Sequence, residues 1–192
     1  MAYNPRLDDH GMLNNRHWYS NDNPYYATGY GMPNCTAYAW GRFWEIGDPL
    51  NTGANKPNPN ELPGYWDGGV WWNHVDRSVY QTGSVPQLGA VICFERIGYA
   101  GHVAIVEEIH SDGTIVTSNS AYGGTYFYTQ TLSRSNNYAW DDYVFQGFIY
   151  NPHSDDPVPP TPTGRRSKFP WVLYSRKFRA RRLHWLLYIN ML

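Results

Sequence analysis

Between residues 89 and 150 lie five runs of strand character, 89–94, 102–109, 114–118, 125–131 and 143–150, none longer than eight residues. What precedes them is helical. Cys35, Ala39, Phe43 and Ile46 follow the i, i+4, i+8, i+11 spacing of one helix face, with Asn34 suited to the N-cap and Gly47 to the C-terminal stop. Helix first and strands afterwards predict an α+β domain, with N-terminal helices packed on an antiparallel sheet. A second, shorter helix is predicted over 70–80, behind Asp67-Gly68-Gly69. Residues 48–64, with four Pro and four Asn, predict a long surface loop. Residues 1–30 read as an irregular strap held on the body by Trp18, Tyr19 and Tyr25.

Charge divides the chain further. All 16 acidic residues lie at or before Asp156, and eight of the 15 Lys and Arg lie after Gly164, so seven bases against 16 acids leave the body at −9 and the tail at +8. The expected division is a folded domain over 1–150, a Pro-rich linker over 151–164 and a basic, aromatic tail over 165–192 that is too short for a globular domain. A cationic amphipathic tail suits an anionic polymer or membrane surface. No nucleic-acid partner is expected. Two cysteines are too few for a disulfide framework. The N-terminus, with Asp8 and Asp9 and no apolar stretch, lacks the pattern of a secretory signal and predicts synthesis in the cytoplasm.

Cys35 falls in the first turn of its helix, where unpaired N–H groups and the dipole favour a thiolate, so a lowered pKa and a nucleophilic role are expected. Cys93 sits inside an apolar strand and reads as a packing residue. A cysteine nucleophile needs a base. Of seven histidines only His102 begins a strand, behind the small residues of Tyr99-Ala100-Gly101. Glu108 lies about 20 Å along that strand at about 3.3 Å per residue, too far to orient the ring. The orienting group is expected from the next strand. If the turn at Ser111-Asp112-Gly113 preserves an even count, Asn119 shares the face of His102, whereas a bulge at Gly113 reverses the parity.

The runs "NCTAYAWGR", "VPQLGAVICF", "GHVAIVEEI" and "TSNSAYGG", in this order over about residues 25–152, resemble the CHAP domain (cysteine, histidine-dependent amidohydrolase/peptidase), a papain-like group of peptidoglycan hydrolases common in phage endolysins and bacterial autolysins. The resemblance implies Cys35 as nucleophile and His102 as general base. Where the family often has a Glu-x-Asn pair, this chain has Asn119-Ser120-Ala121, which makes Asn119 the third member. The residue before the Cys is commonly Gln and here is Asn34; its side chain, or the backbone N–H of Cys35, is expected to hold the oxyanion. The Asp-rich calcium loop of some members is replaced by Ala27-Thr28-Gly29-Tyr30-Gly31, so neither a metal nor another cofactor is expected. Trp71, Trp72, Tyr122 and Tyr126 are candidates for the substrate groove, with Trp72 and Tyr122 foremost. The implied function is an endolysin-type wall hydrolase, made in the host cytoplasm, that cleaves an N-acetylmuramoyl-L-alanine amide or a peptide bond. A non-catalytic wall-binding module and a virion tail-associated hydrolase are the alternatives.

Overall fold

The computed structural model describes residues 2–7, 17–157 and 159. The predicted basic tail, and the linker from 160 onward, lie outside the described residues. Helices α1 (Pro24–Ala27), α2 (Cys35–Gly47) and α3 (Trp71–His74) accompany six strands: β1 (Thr82–Gly83), β2 (Val91–Glu95), β3 (His102–Ile109), β4 (Ile115–Asn119), β5 (Tyr128–Leu132) and β6 (Val144–Ile149). The strands form one antiparallel sheet in the order β1-β6-β2-β3-β4-β5. This is the expected α+β architecture, with the two-residue edge strand β1 as an addition that no periodicity announces.

Helix α2 begins where Asn34, in extended conformation, accepts a hydrogen bond from the N–H of Thr36 on its side-chain oxygen. Every residue from Thr36 to Glu45 is buried, because the helix is covered on both sides. Val91, Cys93, Val103, Ile105 and Ile149 of the sheet pack on one side, and Trp18, Tyr19 and Tyr25 on the other. The strap is more regular than expected, with a 3-10 turn at His17–Tyr19 and helix α1 behind its cap Asn23. Buried Asn23 also donates to the carbonyls of Trp18 and Ala37, which fixes strap to helix. A methyl at Gly41 would lie 2.5 Å from Trp18 O and from the Tyr19 ring, so this crossing needs glycine. Cys93 is fully buried in β2, as a packing residue should be. The sheet's other face carries a second apolar cluster that includes Ile92, Phe94, Ala104, Val106, Ile115 and Phe148.

Two predicted boundaries are corrected. The helix expected over 70–80 is only a 3-10 turn (Gly68–Val70) followed by the four residues of α3. Val75 turns extended, and the Asp76 carboxylate takes the N–H and hydroxyl of Ser78, a local bond that competes with helix propagation. The linker expected from 151 does not begin there, since Asn151 is buried and donates to Phe43 O, while the Asp156 carboxylate accepts the N–H of Leu88.

The sheet carries an irregularity between β3 and β4. Ile109 pairs with Ile115 and Glu108 with Val116, but Val106 pairs with Thr117 and Ile105 with Ser118, so Glu107 is an extra residue in β3. It is held from two directions. Its carbonyl accepts the N–H of Tyr3, from the N-terminal strap. Its carboxylate, almost fully buried, receives Nε and Nη2 of Arg42 at 2.9 and 3.0 Å and the hydroxyl of Ser118 at 2.6 Å. Arg42 also reaches Glu45 and the carbonyl of Asn4, and Glu45 accepts Arg6 and the Tyr19 hydroxyl. One buried and one half-buried arginine-glutamate partnership therefore join helix, sheet and strap with charges that cancel. Burial works against the charge on Arg42, yet Glu107 beside it keeps its pKa above the ordinary value.

Candidate active site

The start of α2, the start of β3, the end of β4 and the start of β5 meet at one end of the sheet. A cleft of about 1110 Å³ crosses that end, and its walls include Asn34, Cys35, His102, Tyr122, Trp140 and Tyr143. Cys35 enters from the helix side, half-buried, with the backbone N–H groups of Val103, Thr36 and Cys35 itself directed at the sulfur. The expectation of a lowered thiol pKa is corrected: burial pushes it up to about 11, against the opposing pull of those N–H groups. Desolvation of the charged form outweighs the helix terminus here.

His102, 4% exposed, places Nε2 3.0 Å from Oδ1 of Asn119, which is fully buried. Which groups donate follows from the far side of the amide. Asn119 Nδ2 faces the carbonyl of Thr117 at 3.1 Å and its hydroxyl oxygen at 3.0 Å, and a carbonyl can only accept. Oδ1 must therefore face the ring, and Nε2 must carry the proton it donates. The lone pair of the imidazole is then on Nδ1, the nitrogen a base would use.

The bulge makes this contact possible. Extended through an unbroken ladder, the turn at Ser111-Asp112-Gly113 would set Asn119 opposite Ile105, whose side chain packs toward the helix. With Glu107 inserted, Asn119 falls opposite Ala104 and diagonal to His102, on the same face. The expectation that the turn alone supplies the right parity is thus corrected: the three-residue turn with Gly113 at φ 83° sets Asn119 on the wrong face, and the extra residue at Glu107 restores it.

Two residues that sequence reasoning missed close around the imidazole. Trp140 and Tyr143 stand edge-on to it, with centroids at 5.1 and 5.8 Å, and stack on each other at 5.0 Å. Arg96, ion-paired with Asp142 at 2.8 Å, lies over Tyr143. The spacing of Trp140 and Tyr143 follows no strand period, so no sequence signal marked them. Enclosed in this way, His102 has its pKa pushed down to about 4 by burial, although the bond to Asn119 favours the charged form. Between pH 6.5 and about 4 the unfolded chain binds a proton that the folded one does not, so stability is lost as pH falls through this window. Wild type should lose about 2–3 kcal/mol more than His102→Gln between pH 7 and 4.5 in urea unfolding. Equal losses in the two proteins would contradict a buried neutral imidazole.

The remaining expected residues divide. Asn34 lines the cleft, caps the helix through Oδ1 and gives one amide hydrogen to Tyr30 O, leaving a second. Tyr122 stands on the rim, 69% exposed and in ring contact with Tyr30. Trp71 is wholly buried, and Tyr126 packs on Phe127 away from the cleft lining. Trp72 is also not in the cleft: its ring covers Gly147 of β6 and lies under Arg77. The aromatics that do face the cleft from the loop before α3 are Tyr65 and Trp66. Among the described residues no group of three or more His, Cys, Asp or Glu is placed to hold a metal ion.

Comparison with known proteins adds a family. The profile of the CHAP domain matches residues 25–121. A secreted 45 kDa protein of Lactococcus lactis subsp. cremoris is 31% identical over 121 residues, 59% of this chain and 23% of that protein. The probable autolysin SsaALP of Staphylococcus aureus is 30% identical over 89 residues, covering 46% of this chain and 29% of its own length. The N-acetylmuramoyl-L-alanine amidase sle1 of the same species is 28% identical over 88 residues, covering 46% and 23%. This chain thus spans less than a third of the length of each of these relatives. A crystal structure of an N-acetylmuramoyl-L-alanine amidase from S. aureus superposes with a TM-score of 0.46 at 24% identity, over 63% of this chain and 32% of that one.

Proposed function

Since this chain belongs to the CHAP domain family, we propose that it hydrolyses an amide or peptide bond of bacterial peptidoglycan through an acyl-enzyme on Cys35. The observation that carries this reading is the hydrogen bond from His102 Nε2 to Asn119 Oδ1, which leaves Nδ1 unprotonated in the same cleft as the thiol. In the proposed reaction the Cys35 thiol gives its proton to Nδ1 as the sulfur adds to the scissile carbonyl carbon. The oxyanion is received by the N–H of Cys35 and the remaining amide hydrogen of Asn34. The imidazolium then protonates the departing amine as the C–N bond breaks. Water, deprotonated by Nδ1, attacks the thioester, and the thiol leaves with the proton returned to it. Asn119 stabilises the imidazolium less than a carboxylate would, but it fixes the ring and the tautomer.

Tyr122 is proposed to touch the substrate at the rim. The endolysin type belongs to the same proposal: cytoplasmic production should lyse bacteria only when a membrane pore is co-expressed, and lysis without a pore would oppose it. The substrate itself is tested by digesting purified Gram-positive peptidoglycan with native and thiol-alkylated protein and analysing the soluble products. Native protein should release new ends, L-alanine amines for an amidase and other amines for an endopeptidase. No release by either protein across several wall types would overturn the reading.

A further inference from the structure

We propose that Trp66 is a sugar-stacking plate of this cleft, binding an N-acetylhexosamine of the glycan beside the bond that is cut. The proposal rests on the peptidoglycan reading and deepens it. Trp66 is 49% exposed, lines the cleft, and is fixed both at its backbone and at its ring. The hydroxyl of Tyr25, buried beneath it, shares its one hydrogen between Trp66 O at 2.8 Å and Pro63 O at 3.0 Å, and accepts the N–H of Trp66 at 3.3 Å and that of the Trp71 indole at 3.0 Å. The indole itself stacks on His74 at 3.9 Å with the planes 29° apart. His74 is fixed in turn through Nδ1, 2.9 Å from the carbonyl of Val70.

A half-exposed indole held in this way loses little freedom when a ligand lies on it, the property that makes rigid aromatics effective contact surfaces. The chemistry next to it suits a sugar. Asp67 follows directly, lines the same cleft and makes no capping bond to the turn it precedes, so its carboxylate is available to sugar hydroxyl or acetamido N–H donors. Asp67 also lies close enough to influence the Cys35 thiol, and the backbone of the next residue, Gly68, passes beside His102, where a methyl would come within 3.0 Å. The plate is thus two residues from the segment that flanks the reacting groups. A pyranose on Trp66 would lie in the same cleft as Cys35.

The test uses the full chain carrying Cys35→Ala, titrated with a soluble disaccharide-peptide and with the same peptide lacking the sugars. The disaccharide form should bind about tenfold tighter, the upper end of what one aromatic stacking contact supplies. Trp66→Ala, added to this protein, should bring the two affinities together while leaving that for the free peptide unchanged. His74→Ala, which keeps the indole but removes its support, should reduce the ratio without abolishing it, and its melting temperature reports whether the fold survives. No preference for the disaccharide form, or a preference that persists in Trp66→Ala, overturns the plate. Failure of the parent reading appears separately, as wild-type protein that releases no ends from peptidoglycan at all.

Discussion

If the proposed reaction holds, hydrolysis of peptidoglycan by Cys35→Ala is expected to fall by about 10⁴-fold or more, with the melting curve little changed, because the proposed nucleophile and base act as one unit. The same argument makes the losses non-additive. His102→Ala should cost nearly as much, and Cys35→Ala/His102→Ala no more than Cys35→Ala alone. Product ends counted by mass spectrometry give the rates, and Cys35→Ala retaining even a tenth of wild-type activity would move the chemistry to another residue. Cys93 is the internal control: fully buried in β2 with its thiol shielded from water, it cannot substitute for Cys35, so Cys93→Ala should still hydrolyse the wall.

Arg42→Ala is expected to be the most destabilising single change among the buried charges, at about 3–5 kcal/mol. The replacement leaves Glu107 and Glu45 buried with their shared cation gone; Glu45 keeps Arg6, but Glu107 keeps only the Ser118 hydroxyl. At about 2–4 °C per kcal/mol for a domain of this size, the melting temperature should drop by about 10 °C. Arg42→Lys should recover only part of this, since an ammonium cannot reach both Glu107 oxygens as the guanidinium fork does. A melting temperature for Arg42→Ala within a degree or two of wild type would mean that the network contributes little to stability.

What the sequence disclosed follows from where its periodicities are clean. Helix α2 and five of the six strands obey simple repeats, and the N-cap at Asn34 and the strand start at His102 carry local signals. Asn119 was reachable only by counting residues around a hairpin. That count depends on Glu107, whose insertion is set by Arg42, Ser118 and Tyr3, partners 65, 11 and 104 positions away in the chain. No alternation of apolar and polar residues encodes such a bulge. The aromatic wall was misassigned for a related reason. Trp66, Trp71 and Trp72 are near neighbours in sequence, yet one lines the cleft, one is in the core and one covers Gly147, a division that no periodicity over a four-residue helix announces. The thiol pKa went astray because a helix terminus can be read from sequence, whereas the degree of burial around it cannot.

Glu107 takes no part in the cleft lining, yet it decides which residue on β4 His102 meets. The pairing of base and orienting group is therefore a matter of arithmetic along a hairpin, and the length of that hairpin is as much a parameter of the site as the identity of the residues in it. His102 and Asn119 meet only while no position is gained or lost between the bulge and Asn119. One added residue there would exchange the faces of the strand and leave every atom of the chemistry present but aimed at the wrong side of the sheet. In such a fold, insertions and deletions are more consequential mutations than substitutions, and ancestry should be visible in conserved spacing before it is visible in conserved letters.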